Sequence, residues 1–336
     1  MANTLVIGAG GFIGGFIVTA CLEIQLPTFF LHRSTSNPSS VKALKDKGAI
    51  AIEGSFADKE LMEKKLREHK IEVVICVCGG ENILDQLVLI EAMKSVGKST
   101  NTIKRFLPSE FGHDIDKSNP VEPGLSFYKE KRMVRRAVEA SGIPYTYICC
   151  NSIASWPYYD NIHPSKLTPP LDHFQIYADG SVGAYFVSGK DIGKITVRAA
   201  EDARTINKSI HFRPACNLFT MNKMASLWES KLGYKLPRIT VSEHQLLALA
   251  AEKKIPQSIV AALTHDIFIK GCQTNFSIDG EKDVEACNLY PDIKFQTLDY
   301  IFDQYALHLN SSKPLIMINN KPQPQLLEAH LLNNKL

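Results

Sequence analysis

The sequence has little excess charge and no long apolar run. Its net charge over 336 residues is only +3, too small to favour nucleic acid or a membrane surface as a partner. No stretch approaches the ~18 apolar residues that a membrane span needs. The first 31 residues contain no Lys or Arg, so the basic region of a signal peptide is not expected. These absences favour a cytoplasmic globular protein with one large domain, or two that share a cleft.

The eight cysteines follow no zinc-binding pattern. Cys76 and Cys78 lie in one apolar, strand-like run, where a thiol behaves as a small hydrophobic side chain. Cys149 and Cys150 lie in another such run, and adjacent cysteines rarely bridge each other without strain. We therefore expect reduced thiols and no metal site.

What the sequence does have is a glycine-rich turn near its start. Thr4–Ile7 is typical of a buried strand, and an apolar segment with helical spacing continues to about Leu22. The residues between them are Gly8, Ala9, Gly10, Gly11, Phe12, Ile13 and Gly14. A strand that turns into a helix over glycines lets backbone N–H groups approach a pyrophosphate, and the helix dipole adds to the attraction. The alternative is a tight turn, but the position between strand and helix favours dinucleotide binding.

The end of the second strand predicts which dinucleotide binds. Pro27–His32 has the pattern of a strand and is followed by Arg33, where a Rossmann unit faces the adenosine ribose. An acidic residue there would repel a 2′-phosphate, whereas a guanidinium can bind it through a planar pair of N–H groups. Lys42 could add to this attraction. Arg33 could instead be a solvated loop cation, but the pattern favours NADPH over NADH.

Strand and helix patterns alternate along the first half of the chain. Further strands are expected at 49–53, 73–77, 105–107 and 145–150, and helices at 59–69, 82–96 and 128–141. Later elements are expected as helices at 191–200, 221–232 and 243–252 and a strand at 209–213. Such repeats indicate an α/β fold with a Rossmann-type doubly wound parallel sheet and a smaller C-terminal α/β substrate domain.

The expected division of the chain follows from a change of pattern near residue 155. We assign 1–155 to an NADP-binding domain and 156–309 to a substrate-binding domain with segments that return to the first. Residues 310–336, rich in Asn, Pro and Gln, are expected to form a flexible tail. A Pro- and aromatic-rich stretch begins at Trp156, and its composition fits a substrate pocket and a linker equally well.

Three residues of the helix expected at 128–141 share one face. Tyr128, Lys131 and Arg135 are spaced by three and four residues. A lysine beside a nicotinamide in an apolar cleft would have a lowered pKa, which suits acid–base work near neutral pH. The alternative is a solvated face, because this helix carries several other basic residues. His113 follows a strand at the cleft end and could carry a proton, contact substrate or be structural. His265 raises the same question in a weaker local pattern.

The run Arg105–Asp114 (RFLPSEFGHD), together with Gly8–Gly14 and Tyr128–Lys131, resembles the isoflavone reductase-like family of plant NADPH-dependent aromatic alcohol reductases. These are atypical short-chain dehydrogenases/reductases, and the resemblance covers about residues 3–305. The segments Ile148–Asn161 and Thr264–Asp266 are similar to the members of that family that reduce flavan-3,4-diols.

The resemblance implies that NADPH reduces a flavan-3,4-diol at C4 to a flavan-3-ol such as catechin, in flavonoid and proanthocyanidin biosynthesis. It implies catalytic roles for Lys131, His113 and Tyr128, and cofactor contacts from Gly8–Gly14, Arg33, Lys42 and Arg135. A C4 hydroxyl leaves poorly until a ring phenol is deprotonated, and its loss then forms an electrophilic quinone methide. Lys131 and His113 could move those protons, and the cofactor would supply hydride.

Two other functions stay open at this point. One is a phenylcoumaran benzylic ether or pinoresinol-type reductase that uses the same lysine. The other is a non-catalytic regulator that senses NADP(H) on the same fold. The expected partner is a small-molecule flavonoid substrate, with no nucleic acid and no membrane, and the expected state is a monomer or a weak homo-oligomer.

Overall fold

The computed structural model describes residues 2–100, 102–154 and 169–311 of the chain. The first half alternates between strands and helices: β1 Thr4–Ile7, α1 Phe12–Glu23, β2 Thr28–His32, α2 Pro38–Asp46, β3 Ile50–Glu53, α3 Lys59–Glu68, β4 Val73–Cys76, α4 Asp85–Thr100, β5 Arg105–Leu107, α5 Gly124–Ser141 and β6 Thr146–Cys149. Helix α2 was not predicted, and α5 begins at Gly124 rather than Tyr128. The predicted α/β alternation is therefore confirmed, with different bounds for these helices.

Strands β1 to β5 form one parallel sheet in the order β3-β2-β1-β4-β5. A parallel bridge between Phe106 and Tyr145 then brings β6 beside β5. The chain leaves β3 at one edge and returns through β4 on the other side of β1. In such a sheet the crevice at the carboxyl ends of the two central strands is where ligands bind. Here those strands are β1 and β4.

Helices cover both faces of this sheet. Side chains along each strand alternate between the two faces, so each face presents apolar residues to a helical layer. Val6 faces the layer of α1, where Ile17 is fully buried. Leu5 and Ile7 face the layer of α3, α4 and α5. Both layers are apolar, which is the doubly wound Rossmann-like arrangement that the sequence predicted.

The second half of the chain both extends the sheet and forms a separate core. Its elements are β7 Ser152–Ala154, β8 Phe174–Tyr177, β9 Gly183–Ser188, α6 Gly189–Glu201, β10 Lys208–His211, β11 Leu218–Thr220, α7 Met221–Leu232, β12 Arg238–Val241, α8 Glu243–Ala251, α9 Gln257–Phe268, β13 Asp283–Glu285, α10 Ala286–Leu289 and α11 Leu298–Ser311. Strand β10 pairs in parallel with β6 and β13, and α6 packs against α1. Small sheets of β7, β9 and β11 and of β8 and β12 stand apart from it.

A third apolar cluster lies among the elements of the second half. Trp228 and Phe302 are fully buried in it, with ring centroids 5.8 Å apart.

The boundary expected at 155/156, the stretch that begins at Trp156 and the tail from residue 312 lie outside the described residues, so the division into domains stays a prediction. Among the helices that the structure describes, none combines the length and hydrophobicity required to cross a bilayer.

Candidate active site

The glycine run forms a tight loop between β1 and α1 at the crevice. Gly8 has φ +85°, and a Cβ on it would collide with the carbonyl oxygen of Val77. A Cβ on Gly14 would collide with the Gly8 carbonyl oxygen, which accepts a 3.0 Å hydrogen bond from the Gly11 N–H. Both positions therefore require glycine. Helix α1 begins after Gly11 without a side-chain cap, so its first N–H groups point to the crevice as donors for an anion.

A cavity of about 400 Å³ opens at this loop. It is bounded by the carboxyl ends of β1, β2, β3 and β4 and by helix α2. Its walls include Gly8, Ala9, Gly10, Gly11, Arg33, Ser36, Asn37, Ser40, Gly54, Ser55, Cys78 and Gly79. The backbone N–H groups of the glycine loop and the guanidinium of Arg33, which follows β2, fit a phosphorylated dinucleotide such as NADPH.

The two predicted contacts to the 2′-phosphate lie in different places. Arg33 lines the cavity, next to the hydroxyl of Ser36, which accepts a 3.0 Å hydrogen bond from the Arg33 backbone N–H. Lys42 lies on α2 and is not among the lining residues. Its Nζ pairs with Asp46 at 2.5 Å, and both side chains are largely exposed. The contact implied for Lys42 stays a prediction, and Arg33 is the better placed of the two cations.

Lys131 lies on α5 and reaches the segment that follows β5. Its Nζ donates a 2.8 Å hydrogen bond to the carbonyl oxygen of Glu110 and lies 5.4 Å from the centroid of the Phe127 ring. Burial of the ammonium group lowers the pKa of Lys131 against the opposing charge of Glu110, and the nearby Arg135 also lowers it. This shift has the direction that the sequence predicted for an acid–base lysine.

His113 and Tyr128 form a buried pair beside Lys131. The His113 Nε2 and the Tyr128 Oη are 2.5 Å apart, and the two side chains are 3% and 4% exposed. Burial lowers the pKa of His113 to about 3, assisted by the charge of Lys131. Burial also raises the pKa of Tyr128 well above its usual value. At neutral pH the pair is therefore an uncharged imidazole hydrogen-bonded to a phenol.

Arg135 lies one turn beyond Lys131 on the same face of α5. Its side chain is 1% exposed, and its guanidinium donates two hydrogen bonds to the Glu110 carboxylate at 3.0 and 2.8 Å. It also donates to Asp114 at 2.7 Å and to Asp116 at 3.0 Å. The predicted shared face is confirmed, but Arg135 does not line the cavity. Its implied contact with the cofactor stays a prediction that these carboxylates do not support.

Glu110 therefore joins the two basic residues, because its carbonyl oxygen binds Lys131 and its carboxylate binds Arg135. Sequence reasoning missed it, although a buried acid within the run Pro108–Asp114 was the available signal. It also missed Ser109, whose backbone N–H donates to Gln86 at 2.8 Å and whose hydroxyl donates to the Cys78 carbonyl. Through this last bond the segment that carries His113 adjoins the wall of the cavity.

Two buried groups in the described part of the chain have donor atoms close enough together for a metal ion. They are His113, Asp266 and Cys272, and Asp114, Cys149 and His211. In the first, the His113 Nε2 is already bonded to Tyr128, and in the second, Asp114 is already bonded to the Arg135 cation. Neither set therefore offers a fully available ligand sphere.

His265 lies in α9 and does not join the site. Its Nε2 is 2.8 Å from the Glu243 Oε1, so its contacts favour the structural alternative. The neighbouring Asp266 is close to His113, and burial raises the pKa of this carboxyl group.

Comparison with known proteins shows which proteins share this sequence and fold. Residues 2–302 match the NmrA-like family. A leucoanthocyanidin reductase of Desmodium uncinatum is 55% identical over 333 residues, which cover 96% of this chain and 86% of that protein. A phenylcoumaran benzylic ether reductase of Ginkgo biloba is 41% identical over 310 residues, covering 91% and 99% of the two chains.

Solved structures of leucoanthocyanidin reductase and isoflavone reductase are also similar to this chain in sequence and fold. The ternary complex of leucoanthocyanidin reductase from Vitis vinifera has a TM-score of 0.85 and 58% identity, and the alignment covers 90% of this chain and 99% of that one. The binary complex of the same enzyme with NADPH has a TM-score of 0.85 and 56% identity over the same shares. An isoflavone reductase has a TM-score of 0.81 and 36% identity, with 91% of this chain and 100% of that chain covered.

Proposed function

Because this chain belongs to the NmrA-like family and is a homologue of leucoanthocyanidin reductases, we propose that it reduces a flavan-3,4-diol with NADPH. The proposed substrate is leucocyanidin, which is reduced at C4 to the flavan-3-ol catechin. One observation carries the proposal of catalysis: the Lys131 amine, with its lowered pKa, is bonded to the carbonyl of Glu110, and the adjacent Ser109 is bonded to Cys78 in the wall of the cavity that fits the cofactor. The substrate class follows from the greater identity to leucoanthocyanidin reductase, 55%, than to phenylcoumaran benzylic ether reductase, 41%.

The glycine loop and Arg33 are the groups proposed to hold the cofactor. Backbone N–H groups of residues 9–14 would bind the pyrophosphate at the start of α1. Arg33, which lines the same cavity, would bind the 2′-phosphate through two N–H groups. When bound, NADPH supplies a hydride.

The proposed chemical role of Lys131 is to accept a proton from the substrate. Burial disfavours the ammonium form and lowers the pKa of Lys131, which favours proton transfer to its amine. Removal of a ring phenol proton pushes electrons towards C4, where the C–O bond breaks. The hydroxyl leaves as hydroxide, which takes up a proton from solvent to become water, and a quinone methide remains. The C4 atom of that species is electrophilic, and the Lys131 proton can return to the reduced product.

His113 and Tyr128 are proposed to act as uncharged hydrogen-bonding groups in this site. A histidine with a pKa of about 3 does not supply a proton at neutral pH, but its ring can hold the Tyr128 hydroxyl in one orientation. Arg135 and Glu110 are proposed as positioning residues, because their ion pair fixes the segment whose carbonyl accepts the Lys131 hydrogen bond.

We further propose that residues 1–155 bind the cofactor and 156–309 the substrate, as expected from the sequence. All eight cysteines are free thiols, which supports a reducing, cytoplasmic location. We keep a monomer or weak homo-oligomer as the proposed state. Light scattering on the purified chain and fractionation of expressing cells would test the state and the location.

A panel of three substrates tests the proposed function. Purified protein is incubated with NADPH and, separately, with leucocyanidin, a phenylcoumaran and pinoresinol, and each product is identified by chromatography and mass. We expect NADPH consumption and catechin formation with leucocyanidin. Turnover of only the phenylcoumaran or pinoresinol would assign the chain to the other reductase type. NADPH binding with no turnover of any of them would indicate a regulator.

A further inference from the structure

Two cysteines meet at the end of β4, where this strand reaches the cofactor cavity. Cys76 is the last residue of β4 and is buried, whereas Cys78 is partly exposed and lines the cavity next to Gly79. Their Sγ atoms are 3.5 Å apart, and the Cys76 thiol donates to the Cys78 sulfur. Because the residues are two apart, both side chains project to the same side of the chain.

Cys78 has an environment unlike that of the other cysteines. The hydrogen bond from Cys76 lowers the pKa of Cys78, and Ser109 and the charge of Lys131 act in the same direction against the effect of burial. The pKa values of the other seven cysteine thiols are all raised, in each case mainly by burial. Even Cys216, which is exposed, shares this upward shift. Reactivity towards oxidants follows thiolate character and access, and both are favoured at Cys78 by its lowered pKa and its partial exposure.

We propose that Cys76 and Cys78 form a redox pair in the wall of the cofactor cavity, which a hydroperoxide oxidises to a disulfide and which bound NADPH shields. In the first step the Cys78 thiolate attacks one peroxide oxygen. The S–O bond forms and the O–O bond breaks, so the sulfur loses two electrons to the peroxide. With hydrogen peroxide, the other oxygen leaves as hydroxide and takes up a proton to become water; with an organic hydroperoxide it leaves as an alkoxide and becomes an alcohol. The product at Cys78 is a sulfenic acid.

In the second step the Cys76 sulfur attacks the Cys78 sulfur. The S–S bond forms, the S–O bond breaks, and the hydroxyl group leaves as water with the Cys76 proton. Closing the gap from 3.5 Å to the ~2.05 Å of a disulfide displaces the residue between the two cysteines. That residue is Val77, whose backbone N–H donates to Ile7 at 2.8 Å and whose carbonyl oxygen faces Gly8. Oxidation therefore disturbs the glycine loop and weakens cofactor binding.

Peptide mapping of the oxidised protein tests the redox pair. The reduced full-length chain is treated with hydrogen peroxide at neutral pH, alkylated, digested and analysed by mass spectrometry. We expect a peptide with an internal Cys76–Cys78 disulfide, two hydrogens lighter than the reduced peptide. Cys216 is the control for exposure, and the pair Cys149 and Cys150 is the control for two neighbouring thiols. Oxidation at Cys216 or at this pair before Cys78 would overturn the proposal.

The variant Cys76→Ser separates the two steps, because its hydroxyl keeps a hydrogen-bond donor beside Cys78. The variant lacks the second thiol, so oxidised Cys78 should persist as a sulfenic acid that dimedone traps. In the wild type, Cys78 should carry no dimedone adduct once the disulfide has formed. Failure of dimedone to label Cys78 in a folded variant would contradict the first step. If the variant does not fold, the disulfide in the wild-type peptide map still decides the matter.

Protection by the cofactor rests on the proposed placement of NADPH, and a separate binding measurement keeps the two claims apart. NADPH binding is followed by the fluorescence of the nicotinamide, before and after oxidation. We expect bound NADPH to slow disulfide formation, and the disulfide to weaken NADPH binding by about tenfold, as for the loss of one hydrogen bond. Bound NADPH without protection would overturn the shielding. A chain that forms the disulfide but never binds NADPH would instead contradict the proposed function.

Discussion

The glycine loop and the Lys131 site differ in how far apart along the chain their contacting residues lie. In the loop, Gly11 and Gly14 both approach the Gly8 carbonyl oxygen within a span of seven residues. At the other site, His113 and Tyr128 are 15 residues apart and Glu110 and Arg135 are 25 residues apart. The loop is made of backbone and forms mainly through local contacts, although Val77 at the end of β4 also packs against Gly8. The second site is made of side chains that only tertiary packing brings together. The proposed functions follow the same division, with cofactor binding at one and proton transfer at the other.

Replacing Lys131 should produce the largest effect and should separate the two regions most clearly. Lys131→Met keeps the aliphatic stem but removes the amine that contacts the Glu110 carbonyl. We expect turnover of leucocyanidin to fall by about 10²–10⁴-fold, as for loss of a general acid–base group, with NADPH affinity largely kept. Steady-state kinetics and NADPH fluorescence titration measure these two quantities.

The matched control is Lys129→Met on the same helix. Lys129 is 61% exposed and lies 3.5 Å from Glu122, so its loss should leave turnover nearly unchanged. Equal losses in the two variants would mean that α5 needs its positive charge rather than one amine. Near-normal turnover of Lys131→Met would remove the catalytic assignment.

Replacing Arg33 should affect only the cofactor region. Arg33→Ala removes the guanidinium from the cavity wall, and one charge-assisted hydrogen bond contributes about 1.5–3 kcal/mol. NADPH affinity should therefore fall about tenfold to a hundredfold, while NADH affinity changes little. Titration with both cofactors measures the difference.

Lys42→Ala is the companion variant, and its effect on NADPH affinity should be smaller because Lys42 is paired with Asp46 on the surface. A larger loss for Lys42→Ala than for Arg33→Ala would restore the contact that the resemblance implied. Equal losses of NADPH and NADH affinity in Arg33→Ala would show that Arg33 supports the loop instead.

Two neighbouring glycines test how tightly the loop is built. A Cβ on Gly14 would collide with the Gly8 carbonyl, whereas a Cβ on Gly15 would have its nearest contact at 3.9 Å, with the Ala9 carbonyl. We expect Gly14→Ala to lower the free energy of unfolding by about 1–3 kcal/mol and to weaken NADPH binding. Gly15→Ala should raise that free energy by about 0.5–1 kcal/mol, because alanine favours the helix. Urea denaturation measures both, and equal effects would contradict the described packing.

The buried pair in the Lys131 site predicts a dependence of stability on pH. The pKa of His113 is about 3 in the folded chain, against about 6.5 in an unfolded one. Below pH ~6.5 the unfolded chain binds a proton that the folded chain does not, so the free energy of unfolding decreases as the pH is lowered. At about pH 5 the loss from this group is about 2 kcal/mol. This loss of stability should disappear in His113→Asn, and urea denaturation of both proteins at several pH values measures it. The same dependence of the free energy of unfolding on pH in the two proteins would contradict a buried, neutral His113.

Sequence reasoning succeeded where the deciding contacts are local. It located β1, the glycine loop, α1 and the end of β2 at His32, directly before Arg33, and the predicted fold and family are confirmed. It missed α2, which is a short helix with a single buried side chain, Leu44. It placed the start of α5 too late, because Gly124 follows Pro123 and neither favours a helix interior.

The side-chain site was only partly predictable, for a physical reason. The spacing of Tyr128, Lys131 and Arg135 indicated a shared face, and the structure bears this out. The partners of that face, Glu110 and Asp114, lie in a different segment, so periodicity gave no sign that Arg135 is enclosed by carboxylates. The same distance along the chain hid the neutral state of His113.

The most direct test of the account asks whether both regions act on one substrate molecule. Leucocyanidin is incubated with the protein and NADPH that carries deuterium at both C4 positions of the nicotinamide, and the product is analysed by mass spectrometry and NMR. We expect catechin with one deuterium at C4. Catechin without deuterium, or consumption of NADPH without catechin, would contradict it.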